Sequence, residues 1–268
     1  LSNFHTIIAW DLMYNANYNN LYTQNDIGGE GGNTLTARRS KYILEEYRLD
    51  PRHYGFNSFG KWTVNENSDL NFGVSISNYK SKNFRLMNDL LGGDYWVDID
   101  QFALRDFDDP NLAQNDLQNP NKIIKVGDVF GYNYDIHVNK NELFSTYSFN
   151  KNRIETFFGI NLSNTTFWRN GKMQNGRFPD NSLGNSEKQT FLNYGAKFGF
   201  LYKITGRHLL SFNAMYKTEA PYVRNAYVSP RTRDQLVPNL KSTEIISGDI
   251  IFIIIFSNVD LPQPLGPN

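Results

Sequence analysis

The sequence predicts an all-β chain, a segment of an antiparallel transmembrane β-barrel with short periplasmic turns and long extracellular loops. Three observations carry this reading. Apolar and polar residues alternate with period two, as they do where one face of a strand is buried and the other wet. The alternating runs are about 10 to 15 residues long, against about 5 to 6 for strands of soluble domains and about 9 to 11 for a tilted membrane-spanning strand. The connections alternate between short turns and long polar loops, the layout of an outer-membrane barrel.

About eight long strands are expected. The first is placed at 4–18. A long polar connection follows at 19–51; within it "DIGGEGGN" (Asp26 to Asn33) fits neither phosphate-cradle spacing and reads as a flexible tip, and "TARRSKYILEEYRLD" (Thr36 to Asp50) reads as a short helix. Strands 53–64 and 69–80 are joined by the turn Asn65 to Ser68. In the second, Leu70, Phe72, Val74 and Ile76 share a face opposite Asn71, Gly73, Ser75 and Ser77. The next connection, 81–138, has a second helical candidate at Ala103 to Pro120. Strands 140–150 and 153–168 flank the turn Asn150 to Arg153, with Phe158, Ile160 and Leu162 opposite Asn161 and Ser163. The loop 169–189 leads to strands 190–203 and 208–218, joined at Ile204 to Arg207. A last loop, 219–241, precedes a strand at 242–252.

Composition narrows the function classes. Among 268 residues, 27 Lys and Arg balance 27 Asp and Glu, so no basic excess points to nucleic acid. There is no cysteine, which excludes disulfides and thiolate metal sites. Aromatic residues reach 15 % while mean hydropathy is −0.54, as for a sheet with one apolar and one very polar face. The four histidines, His5, His53, His137 and His208, are isolated in the sequence. Glu45 and Glu46 are adjacent and face different ways on a strand, and no G-x-S-x-G elbow occurs, so no enzyme and no cofactor is expected.

Residues 1–249 are read as a partial barrel. Residues 250–268 form an atypical tail in which alternation gives way to the run Ile250 to Phe256 and then to three prolines, which a paired strand interior does not hold. A wrong reading frame or terminal artefact is the first explanation; a true last strand, 245–256, with a disordered tail is the second. The chain opens on Leu1 and is expected to be a piece of a longer protein.

The stretch "YKTEAPYVRNAYVSPRTRDQLVPNLKSTEIISGDI", Tyr216 to Ile250, resembles the TonB-dependent receptor family, in particular the large Bacteroidetes-type outer-membrane transporters. The residues that carry the resemblance are Ala220, Pro221, Tyr222, Arg224, Asn225, Ala226, Ser229 to Arg233, Val237, Pro238 and Leu240, then Ser242, Ile245, Ser247 and Gly248. The resemblance implies one wall of a barrel of about 22 strands. It also implies an N-terminal plug and an inner-membrane energy-coupling complex as partners, a Gram-negative outer membrane as location, and import of a siderophore, glycan or other large nutrient. The 268 residues hold no counterpart of the plug or the coupling box, and no aromatic-ended final strand. Two other readings compete: a complete small outer-membrane barrel acting as adhesin or structural protein, and a soluble carbohydrate-binding β-sandwich.

Candidate ligand contacts are loop residues. Arg224, Arg231 and Arg233 offer planar guanidinium forks to an anionic ligand, or brace neighbouring loops. Tyr95 and Trp96 offer rings for stacking on a sugar or aromatic ligand, or cap a small loop core. Asp98, Asp100, Asp106, Asp108 and Asp109 are candidates for a hard cation such as Ca²⁺, without EF-hand spacing. Trp62, Tyr79, Trp168, Tyr202 and Tyr216 are expected as interfacial girdle residues. Leu70, Phe72, Val74, Phe158, Ile160, Phe198 and Phe212 are expected to face lipid.

Overall fold

The computed structural model describes residues 8–205 and 207–254. Seven long strands form one antiparallel sheet: β1 (Leu44–Asn65), β2 (Ser68–Asp89), β3 (Val129–Lys151), β4 (Ile154–Gly171), β5 (Gln189–Lys203), β6 (His208–Glu219) and β7 (Thr243–Ile254). They pair strictly in chain order, as a meander with β1 and β7 at its edges. The sheet is not closed, and only the two-residue strand Gly184–Asn185, beside β4, is added to it. The sequence expectation of antiparallel β structure holds, with seven long strands among the described residues where about eight are expected.

Two expected elements are corrected. The strand placed at 4–18 is helical from Trp10 to Tyr18 (α1), and residues 1–7 lie outside the described part. Trp10, Leu12, Tyr14 and Tyr18 look strand-like by spacing, yet all are exposed on the helix. What holds α1 is Asn17, fully buried, whose Nδ2 donates to the carbonyls of Tyr42, Leu90 and Leu91 at 2.7, 2.9 and 3.0 Å. Its Oδ1 accepts from the Lys41 and Tyr42 amides at 2.7 and 3.0 Å. The helix expected over 36–50 is absent. Leu44 to Asp50 is the upper part of β1, paired with β2, and Glu45 meets Arg85 across the ladder at 3.2 Å. Pro51, which has no N–H to donate, pairs with Ser81 on the strand at the edge of the described sheet.

Helical character in the second connection is found as α2 (Gln101–Asp106) and a 3₁₀ turn at Pro110–Ala113. The short turns fall where the sequence puts them. At β3–β4, Asn152 takes a left-handed conformation (φ 55°), which Asn accepts more readily than most residues. β7 runs through to Ile254, so the first part of the apolar run pairs with β6 residue by residue, from Ile250 against Phe212 to Ile254 against His208. Residues 255–268 lie outside the described part.

The register sorts residues into rows across the sheet. One outer-face row reads Phe72, Ser145, Ile160, Ala196, Tyr216, Ile246, and the next reads Leu70, Tyr147, Phe158, Phe198, Ala214, Gly248. The inner-face row between them reads Asn71, Thr146, Gly159, Lys197, Met215, Ser247. On the inner face, glycines make room for large neighbours: Gly199 lies beneath the Phe157 ring and Gly159 beneath Lys197, where a Cβ would collide. Two inner-face pairs are Lys203 with Glu155 and Lys140 with Glu142 (2.9 Å), while Lys197 lies over the Phe157 ring.

The outer apolar band ends in a polar row. Asn78, Asn139, Thr166 and Thr190 stand side by side on β2 to β5, with the two threonine hydroxyls 3.0 Å apart. Below this row, Phe72, Ile76, Leu143, Tyr147, Phe158, Ile160, Leu162, Leu192, Phe198, Ile246 and Ile250 are exposed. Trp62, Trp168, Tyr202 and Tyr216 share the outer face with them, whereas Tyr79 is corrected to the inner face, opposite His53 and Val138.

Candidate functional site

Above the polar row the strands continue and the long connections fold over their inner face. The connection from 220 to 242 is itself a small hairpin. Tyr227 bridges Leu236, the Val228 amide donates to the Gln235 carbonyl (2.9 Å), and the Val237 amide to Ala226 (2.9 Å). At its tip, Ser229 to Arg233 closes a turn in which the Thr232 and Arg233 amides both donate to the Ser229 carbonyl (3.1 and 3.0 Å).

This hairpin docks by burial. Ala226 and Tyr227 pack with Tyr132, Tyr134 and Ile136 of β3 and Phe167 of β4, and Val223, Leu236 and Leu240 flank them. The Phe167 and Tyr227 rings meet edge-on, with centroids 6.3 Å apart. The polar clamp is Arg169 of β4, only 2 % exposed. Its Nε donates to the Pro230 carbonyl and its Nη1 to the Ser182 carbonyl, both at 2.7 Å, and its guanidinium lies 5.2 Å from the Tyr134 ring centre. The Arg169 amide donates to Ser186 Oγ (2.9 Å), which is 3.1 Å from the Tyr227 hydroxyl. Burial pushes the Tyr227 phenol up, favouring its neutral form. Gly171 is required here, because a side chain would strike the Ser182 carbonyl and the Arg169 guanidinium. Arg169 thus ties one strand to two loops, a role that sequence spacing does not reveal.

Between this hairpin and the inner face lies a cleft of about 590 Å³. Its walls are Tyr47, Arg48 and Leu49 of β1, Tyr79, Ser81 and Asn83 of β2, and Tyr132, Tyr134, Ile136 and Val138 of β3; Val223, Arg224, Pro230 and Arg231 form its roof. Arg231 lies between two rings, 5.3 Å from the centre of Tyr47 and 5.1 Å from that of Tyr132, a cation–π arrangement.

Of the residues singled out in the sequence, Arg224 and Arg231 come together in this cleft. Arg233 does not: its guanidinium stacks 4.2 Å from the centre of Phe178, in the neighbouring loop. Tyr95 is corrected from a ligand-stacking ring to a fully buried one, its hydroxyl donating to the Tyr22 carbonyl at 3.1 Å. Trp96 pairs with Ile124 and packs on the loop core of Met87, Leu90, Ile124 and Phe130. Both therefore serve the loop's own core.

The aspartates have separate structural tasks. Asp98 is buried and accepts from Asn115 Nδ2 (2.7 Å) and the Gly131 amide (2.8 Å); its Oδ2 has no partner among the described residues, and burial pushes its carboxyl up. Asp100 caps α2 by accepting from the Phe102 and Ala103 amides, and Asp109 caps the 3₁₀ turn through the Asn111 amide. Asp106 pairs with Arg105 (2.6 Å), and Asp108 is exposed. Among the described residues no group of three or more His, Asp or Glu is placed to share a metal ion.

Sequence spacing missed Tyr47, Tyr79, Tyr132 and Tyr134, the ring-bearing walls. Their signal was present only as inner-face tyrosines on strands whose upper halves lack apolar alternation. Compared with models of known families, with curated proteins and with solved structures, the chain matches none.

Proposed function

We propose that the chain is part of the wall and mouth of an outer-membrane β-barrel of the TonB-dependent receptor type, in a Gram-negative cell, which imports a siderophore, glycan or other large nutrient. One observation carries the proposal. On β1 to β7 the outer face is predominantly apolar over the stretch next to the short turns, with Ser58, Asn141, Ser145, Thr156 and Asn164 as polar interruptions, and on β2 to β5 this band ends at a shared polar row. Exposed rings and branched side chains on that scale mark a surface made for a nonaqueous neighbour. The band covers about the 9 to 11 residues per strand that a tilted crossing requires. A sandwich would cover this face with a second sheet, but the other sheets among the described residues have two strands each.

The open edges fit the same reading. Unpaired backbone is costly in lipid, so β1 and β7 would pair with further strands of a larger barrel. In the full receptor a plug would occupy the lumen and couple to the energising complex, and the cleft under the 220–242 hairpin would face incoming ligand. The mechanism is capture at the mouth followed by passage through the lumen when the plug moves, with the chain's own residues positioning the ligand.

The test is depth-resolved fluorescence. The chain is reconstituted in vesicles whose lipids carry bromine at known acyl positions, and emission is read from a variant in which Trp62 is the sole tryptophan. Quenching by bromines near the interface, with loss of quenching when Trp62 is moved to the inner-face position 61, is the expected result. Unquenched emission, or a chain that stays dispersed in detergent-free buffer, would sink the proposal.

A further inference from the structure

We infer that the cleft beneath the 220–242 hairpin binds a flat molecule bearing an anionic group, a carboxylate or phosphate, with Arg231 and Arg224 as the groups that recognise the charge. The inference deepens the proposed receptor function by naming a ligand class, and rests on that reading.

The argument starts from unmatched charge. No carboxylate lines the cleft, while Arg224 and Arg231 both do. Among the described residues neither guanidinium has an ion-pair partner or a hydrogen-bond acceptor, although the cations nearby are matched: Arg85 with Glu45 (3.2 Å) and Arg48 with Asp50 (3.1 Å). A guanidinium over a ring uses its face there and keeps its N–H edge, a planar donor fork, for an acceptor. Arg231 is held in this way by Tyr47 and Tyr132, with both ring centres within 5.3 Å. The two rings place this cation at the cleft before any ligand arrives, and a bidentate acceptor such as a carboxylate matches the guanidinium fork.

The walls select the rest of the molecule. Four tyrosines give flat surfaces, and the Ser81 and Asn83 side chains are the uncharged polar groups among them. A volume of about 590 Å³ falls in the range of pockets for compact ligands. Arg224 and Arg231 are both exposed; a neutral glycan would also stack on tyrosine but would use neither cation as a charge, whereas an acid gains from both, so an acid is favoured.

The probe is 4-fluorobenzoate, with the neutral isostere 4-fluorobenzamide as its control, observed by ¹⁹F NMR line broadening against the full chain in uncharged detergent micelles. Circular dichroism first verifies β structure in every variant. The acid is expected to broaden and the amide to remain sharp. Arg231→Gln and Arg224→Gln should each weaken binding of the acid by about tenfold or more, the worth of one hydrogen bond to a charged group. Arg233→Gln, whose side chain stacks on Phe178, should leave binding unchanged. Equal broadening of acid and amide would overturn the inference, as would acid binding that survives loss of both cleft arginines. Displacement of the acid by maltohexaose, with maltohexaose itself binding equally well to the Arg231→Gln variant, would overturn it in favour of a neutral glycan. Failure of the receptor reading is distinguishable, because it is read from Trp62 in vesicles: acid binding by a chain whose Trp62 is not quenched would discard the membrane location and sustain the ligand class.

Discussion

The part of the sheet next to the short turns and the part beneath the loops are built from the same strands by different rules. Near the turns, each strand stands on its own alternation. Phe158, Ile160 and Leu162 face out, and Gly159, Asn161 and Ser163 face in. Stability there is a matter of solvent match on each face and of room for the inner rings. Beneath the loops the outer face is polar, Lys80 meets Asp135 across the ladder at 2.9 Å, and the apolar burial moves to the inner face, where Tyr132, Tyr134 and Phe167 hold the 220–242 hairpin. Strand pairing therefore depends on periodicity in one region and on long-range contacts in the other.

That contrast is broken most strongly by charge. Ile160→Arg puts a cation in the middle of the outer band and should cost about 2–4 kcal/mol of stability in lipid. Asn161→Arg, one residue away on the inner face, should cost a small fraction of that. Chemical unfolding from vesicles compares the two directly. Equal losses would remove the distinction between the faces.

Next in size is the clamp. Arg169→Ala removes two charge-assisted bonds, each worth about 1.5–3 kcal/mol, and should free the 220–242 hairpin. Hydrogen exchange there should speed by about a hundredfold or more, while amides of β4 near Phe158 keep their protection. A uniform loss across the sheet would show that the two regions are not separable.

Inner-face packing comes third. Gly199→Ala forces a methyl group into the Phe157 ring and should destabilise by about 1–3 kcal/mol. Phe157→Ala should relieve most of that cost, so the double variant measures a coupling. Additive losses would mean that the glycine matters through its backbone instead.

The smallest effect concerns pH. The Asp98 carboxyl is held up by burial, so its neutral form is favoured in the folded loop. For a raised pKa the sign is fixed: the stabilising contribution is complete below the unfolded value near 4 and is lost as pH rises through the folded value. Exchange of the Gly131 amide, which donates to Asp98, should therefore quicken as pH rises above about 4, beyond the intrinsic trend. In Asp98→Asn that added slope should vanish. An unchanged slope in the variant would assign the effect to another group.

Legibility in the sequence followed the same division. Period-two alternation placed β5 and β6 to within a residue, because their whole length alternates. It placed the lower parts of β1, β2 and β3 but stopped too early. Residues 44–52, 81–89 and 129–139 mix charged and polar residues with apolar ones and lack a sustained apolar face, and only the backbone ladder with its cross-strand pairs shows that they are strands. "YILEEYRLD" looked helical because Glu, Leu and Arg favour helices, a preference overridden by pairing with β2. Trp10 to Tyr18 looked like a strand because its apolar residues are two apart, yet Asn17, not the rings, anchors it. Of the candidate site, Arg224 and Arg231 were visible in the loop motif. The Tyr47 and Tyr132 rings that place Arg231 at the cleft, and the Arg169 clamp, come from strands 60 or more residues away in sequence, beyond the reach of local spacing.

The most direct test of the account uses the absence of cysteine in the chain. Single cysteines are placed in turn at positions 157, 158, 160, 161 and 162 of β4 in the vesicle-reconstituted chain and treated with a membrane-impermeant maleimide. Labelling at 157 and 161, with protection at 158, 160 and 162, is the predicted pattern. Uniform labelling, or the inverse alternation, would contradict a sheet that shows its apolar face to lipid and its glycine-lined face to water.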